Sequence, residues 1–234
     1  MAEIYSIPVR DMAFHTRESG EGEQSSCSLS RPAGVRDELW YAVESVHHMV
    51  RVESIDYQEI QVPSSMADAG IGVELSCRKD AYDLSALDGL SYSDGLRTSP
   101  VSSAHKSQDA ARSRLASPSG WIMVLYSHVP RAEWDSQWRC VGFFTTEIAA
   151  QEHDSLTADM FLDDMTAHLT EAEPDSVRGT VTLTQNRSFG VIEQDNGCGC
   201  EIRVSWTPAG VTSHGLDAGR QVQMWARFIR EMAS

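Results

Sequence analysis

Two apolar runs joined by a polar segment constrain this chain more than any other feature. Residues 121–129 read Trp-Ile-Met-Val-Leu-Tyr-Ser-His-Val, and residues 138–148 read Trp-Arg-Cys-Val-Gly-Phe-Phe-Thr-Thr-Glu-Ile. The segment between them, 130–137, is polar and of loop length. Neither run approaches the roughly 20 apolar residues of a membrane span. They predict a central antiparallel hairpin, buried on one face or on both.

The flanking periodicities supply the remaining elements. Leu39, Val43, Val46 and Val50 recur at +4, +7 and +11, predicting a helix over 36–52 with Asp37 and Glu38 at its electropositive start. Ile60 and Val62 alternate with Gln61 until Pro63, which marks a short edge strand, and residues 71–77 alternate as a second strand. Phe161, Met165, Leu169 and Ala172 lie on one side of a helix over 158–173, stopped by Pro174. Val181 and Leu183 alternate with threonines, and Ile202, Val204 and Trp206 alternate with Arg203 and Ser205. These are two further strands, separated by a turn cluster at 195–199; Ile202, Val204 and Trp206 share one strand face, so Trp206 is expected to be buried against the helix carrying Phe161 and Met165. Val222, Trp225, Phe228, Ile229 and Met232 mark a C-terminal helix. The order is α-β-β-(insertion)-β-β-α-β-β-α, with no βαβ unit bearing a glycine-rich turn, so a doubly wound nucleotide fold does not fit. The predicted class is α+β, an antiparallel sheet with helices packed on one face.

Two stretches lack any period. Residues 1–34 include the disorder-type run Glu18–Ser26, and about 79–119 is rich in Ser, Asp and Ala. The predicted organisation is a disordered tail over 1–34, then one α+β domain over 35–234 that carries a mobile insertion at about 79–119.

Charge narrows the function classes. Nineteen Lys+Arg stand against 34 Asp+Glu, a net charge of −15, which leaves no overall field for a phosphate backbone or an anionic lipid surface. A small strip of Arg178, Arg187 and Arg203 is the sole footing for nucleic acid. Nine acids and no Lys or Arg fall within 147–175. That segment reads either as a solvated helix face or as a docking surface for a protein partner with a basic surface. Trp134 sits in the predicted hairpin loop, where burial explains a large ring least well. The candidate partner contacts are therefore Trp134, Asp159, Asp163 and Glu171.

Metal chemistry is the second possibility. Asp164, His168 and Glu171 fall at i, i+4 and i+7 along one helix side, a spacing that can ligate a divalent ion or hold a general base. Cys198 and Cys200 place two thiols one residue apart, without the second cysteine pair that a structural zinc site needs. There is no Gly-x-Ser-x-Gly elbow, no His-Glu-x-x-His and no phosphate-binding glycine loop. The Ser76/Lys79 and Ser103/Lys106 spacings lack the Lys-Thr-Gly companion of serine-lysine enzymes. No catalytic residue and no cofactor is assigned.

The blocks Gly179-Thr180-Val181-Thr182, Ser188-Phe189-Gly190 and Glu201-Ile202-Arg203-Val204-Ser205-Trp206-Thr207-Pro208 resemble the C-terminal half of an actinobacterial family, domain of unknown function number three thousand. The similarity extends over roughly 36–77 and 120–232. It implies a cytoplasmic actinobacterial protein, and it brings no activity and no residue roles. An N-terminus without a basic or apolar leader, five cysteines and an arginine-for-lysine skew agree with a reducing cytoplasm and a GC-rich genome. Two readings follow: a non-catalytic binding or adaptor module using the acidic helix face, or a small metal-binding protein or hydrolase-type enzyme using Asp164, His168 and Glu171 or the Cys198/Cys200 pair.

Overall fold

The computed structural model describes residues 30–78, 117–149, 154–186 and 197–233. The expected tail before residue 30, the insertion over 79–116, and Arg187 lie outside the described residues. The described elements follow the predicted order. They are α1 (Asp37–His48), β1 (Ile55–Ile60), β2 (Ala69–Cys77), β3 (Ser119–Arg131), β4 (Ser136–Ile148), α2 (Ser155–His168), a 3-10 turn (Pro174–Ser176), β5 (Arg178–Gln185), β6 (Cys198–Trp206) and α3 (Ala218–Glu231). No helix among the described residues is long and apolar enough to cross a membrane.

The strands form one antiparallel sheet in the order β1-β2-β3-β4-β6-β5. The long hairpin β3–β4 is its centre, as the two apolar runs predict. β6 takes the inner place beside β4 and β5 the edge, which reverses chain order. Side-chain chemistry accounts for the exchange. Cys198, Cys200, Ile202, Val204 and Trp206 of β6 are all buried, whereas β5 exposes Thr180 and Thr182. Ser119, within the span expected to be mobile, is already paired with Ser76, so β2 and β3 approach one another at both ends of the 79–116 segment.

Strict alternation divides the sheet into two faces. Ile122, Val124 and Tyr126 of β3 join the main core with Trp138, Cys140 and Phe144 of β4 and with all three helices. Met123 and Leu125 point the other way, into a small cluster with Val62 and Ala67. The hairpin is therefore buried on both faces near its middle, with helices on only one. α3 supplies most of the helical cover through Val222, Trp225, Phe228 and Ile229. α1 crosses it at Gly219, where a Cβ would stand 2.4 Å from the Ser45 carbonyl oxygen; only glycine permits that approach.

Three local expectations are corrected. Trp206 is fully buried, but against Trp225 of α3 (ring centroids 5.8 Å apart), not against the helix carrying Phe161 and Met165. Cys198 and Gly199 belong to strand β6 and not to the turn. The helix expected over 158–173 starts and ends earlier, at Ser155 and His168.

One polar link ties α1 to the sheet. The Tyr126 hydroxyl donates to Glu38 Oε1 at 2.7 Å, and this bond holds the Glu38 carboxyl below the usual range while burial works in the opposite direction. A carboxylate with a depressed folded pKa adds stability above its unfolded value, and that stability is lost as pH falls through the folded value. Tyr126→Phe is thus expected to be less stable than wild type at neutral pH. The gap should narrow as pH drops below the ordinary glutamate value of about 4.3. Urea melts of both proteins across that range are the check; a gap that stays constant into acid would separate Glu38 from the effect.

Candidate functional site

The residues singled out in the sequence fall mainly on the outer side of α2 and at a pocket at the end of the sheet, where the β3–β4 turn meets the segment after α2.

Helix α2 starts on Asp154, whose side chain accepts the Thr157 N–H at 2.9 Å and caps the first turn. Phe161, Met165 and Leu169 turn inward, with Met165 and Leu169 in the core. At about 100° per residue, the opposite side carries Leu156, Met160 and Asp163, flanked by Asp159 and Asp164. Leu156 is 64% exposed and Met160 57%. Asp159, Asp163 and Asp164 are exposed and make no ion pair among the described residues. Asp163 and Asp164 lie toward the helix C-terminus, where the macrodipole gives carboxylates no support. Glu171 lies past the helix end and is half-buried, with its carboxylate 3.6 Å from Arg220. It therefore does not share the outward stripe of Asp159 and Asp163.

The proposed metal ligands are not gathered. Among the described residues no group of three or more His, Cys, Asp or Glu could hold a metal ion. His168 Nδ1 donates to the Asp164 carbonyl at 2.8 Å, and Nε2 lies 2.7 Å from Glu231 Oε2 on α3. Both ring nitrogens face oxygen acceptors, which leaves neither free as a ligand. The Asp164 carboxylate itself is exposed. Cys198 and Cys200 both point into the core, where burial pushes the Cys200 thiol up to about 12 and suppresses the thiolate that metals and electrophiles require.

Trp134 lies in the tight turn between β3 and β4, where Asp135 takes a positive φ of 49°. Its ring is half-buried against the small outer cluster and carries the Arg131 guanidinium 4.4 Å above its centroid. Packing thus explains part of a ring that the sequence left exposed. Trp134 also lines a cavity of about 690 Å³ with Arg139, Glu173, Asp175, Arg178 and Thr207. Asp159 and Asp163 are not among the residues lining it. A short bridge between Ala172 and Pro208 and the Glu173 N–H to Thr207 carbonyl bond, 2.9 Å, hold the far wall in place.

Sequence reading missed Arg139. It sits inside the apolar run of β4, yet Trp138 and Cys140 on either side face the core, so the alternation itself sends Arg139 to the outer face. Its side chain is only 8% exposed, donating from Nη1 to Thr207 Oγ1 (3.1 Å) and from Nη2 to Ser205 Oγ (2.8 Å). Of the basic strip, Arg203 faces Glu201 at 3.1 Å and lies 5.9 Å from the Phe143 ring centroid. Phe143 in turn stacks on Trp121 at 5.6 Å.

The blocks that carry the family resemblance fall on β5 and β6, except Ser188–Gly190, which lies outside the described residues. No curated protein and no solved structure matches this chain. Residues 37–234 do match a family pattern, which spans every described element of the fold, and the chain belongs to the family described as Protein of unknown function (DUF3000).

Proposed function

We propose that the protein is a non-catalytic binding module, and that the outer side of α2 docks a protein partner whose surface is basic around an apolar groove. The observation that carries this reading is the exposed Leu156–Met160 pair at i, i+4, set among Asp159, Asp163 and Asp164. An isolated exposed leucine needs no explanation. Two large apolar side chains one helical turn apart, bordered by carboxylates without counter-ions, make an anchor with a charged rim. The rim speeds encounter with a cationic surface and the apolar pair sets the lifetime.

The test is a pull-down from the source cells with wild type, an Asp159→Lys/Asp163→Lys variant and a Leu156→Ser/Met160→Ser variant, each at low and high salt. Glu171 is left unchanged because its carboxylate already faces Arg220. The same partner should be recovered by wild type at low salt, lose about tenfold or more on charge reversal, and weaken as salt shortens the Debye length toward ~3 Å at 1 M. Recovery that neither salt nor either variant changes would make α2 a solvated face and remove the reading.

A further inference from the structure

We propose that the cavity beside Trp134 is a binding site for a small molecule carrying one carboxylate or phosphate group, with that oxyanion held between Arg139 and Arg178. The starting point is a buried cation without an anion. Arg139 is more than nine-tenths buried, and its two hydrogen bonds go to the neutral hydroxyls of Thr207 and Ser205. A guanidinium has five N–H donors, and among the described residues those two hydroxyls are the only acceptors it meets. Buried arginines are ordinarily paired, because removing an unpaired charge from water is costly.

The second observation is a second cation. Arg178 lines the same cavity, and its Nη1 donates only to the neighbouring Val177 carbonyl, at 2.7 Å. It makes no ion pair among the described residues. Burial above all works against the charge on Arg139; Cys140 works in the opposite direction, and the nearby Arg178 charge adds to the effect of burial. The β5–β6 register places Arg178 directly opposite Ser205, the residue that Arg139 already bonds, so the sheet brings both arginines to the same cavity wall. An oxyanion between them would supply acceptors to the unused donors and relieve the repulsion.

The site is also preorganised. Thr207 Oγ1 donates to the Trp134 carbonyl at 2.6 Å while accepting from Arg139, and the Thr207 N–H donates to Ser176 Oγ at 2.8 Å. These bonds lock the turn, β6 and the 3-10 turn around the cavity before anything binds. At about 690 Å³ the cavity lies within the range for small-molecule sites, roughly 300–1,000 Å³. Glu133, Asp135, Glu173 and Asp175, all exposed, also line it, none of them bonded to either arginine. Four carboxylates around two guanidiniums turn away polyanions and favour a ligand whose remainder is cationic or hydroxylated.

The experiment is calorimetric titration of the full chain with glycine and with phosphoethanolamine, a carboxylate and a phosphate zwitterion, and with polyphosphate as the polyanion. Wild type, Arg178→Gln and Arg139→Gln are compared, with the Arg139 side-chain Nε–H followed by NMR. Saturable binding of at least one zwitterion, weakened tenfold or more by Arg178→Gln and accompanied by a shift of the Arg139 resonance, supports the site and identifies the head group. Arg178 is exposed, so its variant decides the question even if Arg139→Gln fails to fold. Absence of saturable zwitterion binding, binding insensitive to Arg178→Gln, or tighter binding of polyphosphate would each overturn it. These outcomes are independent of α2, so the docking proposal is tested apart from this one.

Discussion

Trp225→Ala is expected to lower the unfolding free energy by about 3–5 kcal/mol, the range for deleting a large buried aromatic. The ring is fully buried, 4.9 Å from Phe228 and 5.8 Å from Trp206 between centroids. Its indole N–H reaches the Phe143 carbonyl at 3.2 Å. It lies over Gly142 of β4, where a Cβ would come within 2.9 Å of two ring atoms. The central hairpin and α3 therefore meet through a large ring fitted to a missing side chain, and alanine would leave a cavity that the rigid sheet cannot close. Gly142→Ala approaches the same contact from the other side and should cost about 1–3 kcal/mol through overpacking. Domains of this class hold about 5–15 kcal/mol in all, so Trp225→Ala removes a large share. Urea unfolding is the measurement, with half-exposed Trp134→Ala as the reference. If Trp225→Ala melts no earlier than Trp134→Ala, the α3–sheet packing described above is wrong.

Gln221→Leu is expected to cost about 1–3 kcal/mol even though it adds apolar surface to a core position, because that is the penalty for a buried polar group left without its partner. Gln221 is 1% exposed. Its Oε1 accepts the Trp206 indole N–H at 2.8 Å, and its Nε2 donates to the Glu171 carbonyl at 2.9 Å. The leucine would strand the Trp206 indole N–H in the core, while the Glu171 carbonyl keeps its second bond, from the Ala209 N–H at 2.9 Å. The effect should appear as a lower midpoint with an unchanged denaturant slope, since the surface exposed on unfolding hardly changes. Gln223→Leu, two residues along and partly exposed, is the control and should lie within about 1 kcal/mol of wild type. Equal effects at 221 and 223 would show that the buried amide does not bridge β6 to the segment after α2.

Both variants act at a junction that periodicity does not describe. The apolar runs around 121–148 and the alternation at 202–206 show which residues face inward, because a side chain's direction within a strand or helix is a local property with a period of 2 or 3.6. For the same reason the element order, the antiparallel class and the split between outward Asp159/Asp163 and inward Met165/Leu169 were legible in the sequence. The acidity of 147–175 was legible too, since charge is simply counted.

What an inward side chain meets is a matter of long-range packing, and only the tertiary structure decided it. Trp206 belongs with Trp225, nineteen residues on, and not with Met165, because α3 and not α2 lies across the middle of the sheet. β6 displaced β5 from the inner position because its buried face is the more apolar, a comparison between strands that neither reveals alone. His168, spaced for a metal with Asp164 and Glu171, turned instead to Glu231 at the far end of the chain. Arg139 was hidden in an apolar run. Its alternation assigned it to the outer face, but the cavity, the second arginine and the missing counter-ion arise only where the β3–β4 turn, β5 and the segments after α2 and β6 converge. Local patterning sets the direction of each side chain; the loss of water around it, and hence the chemistry it can do, depends on chain segments brought together from far apart.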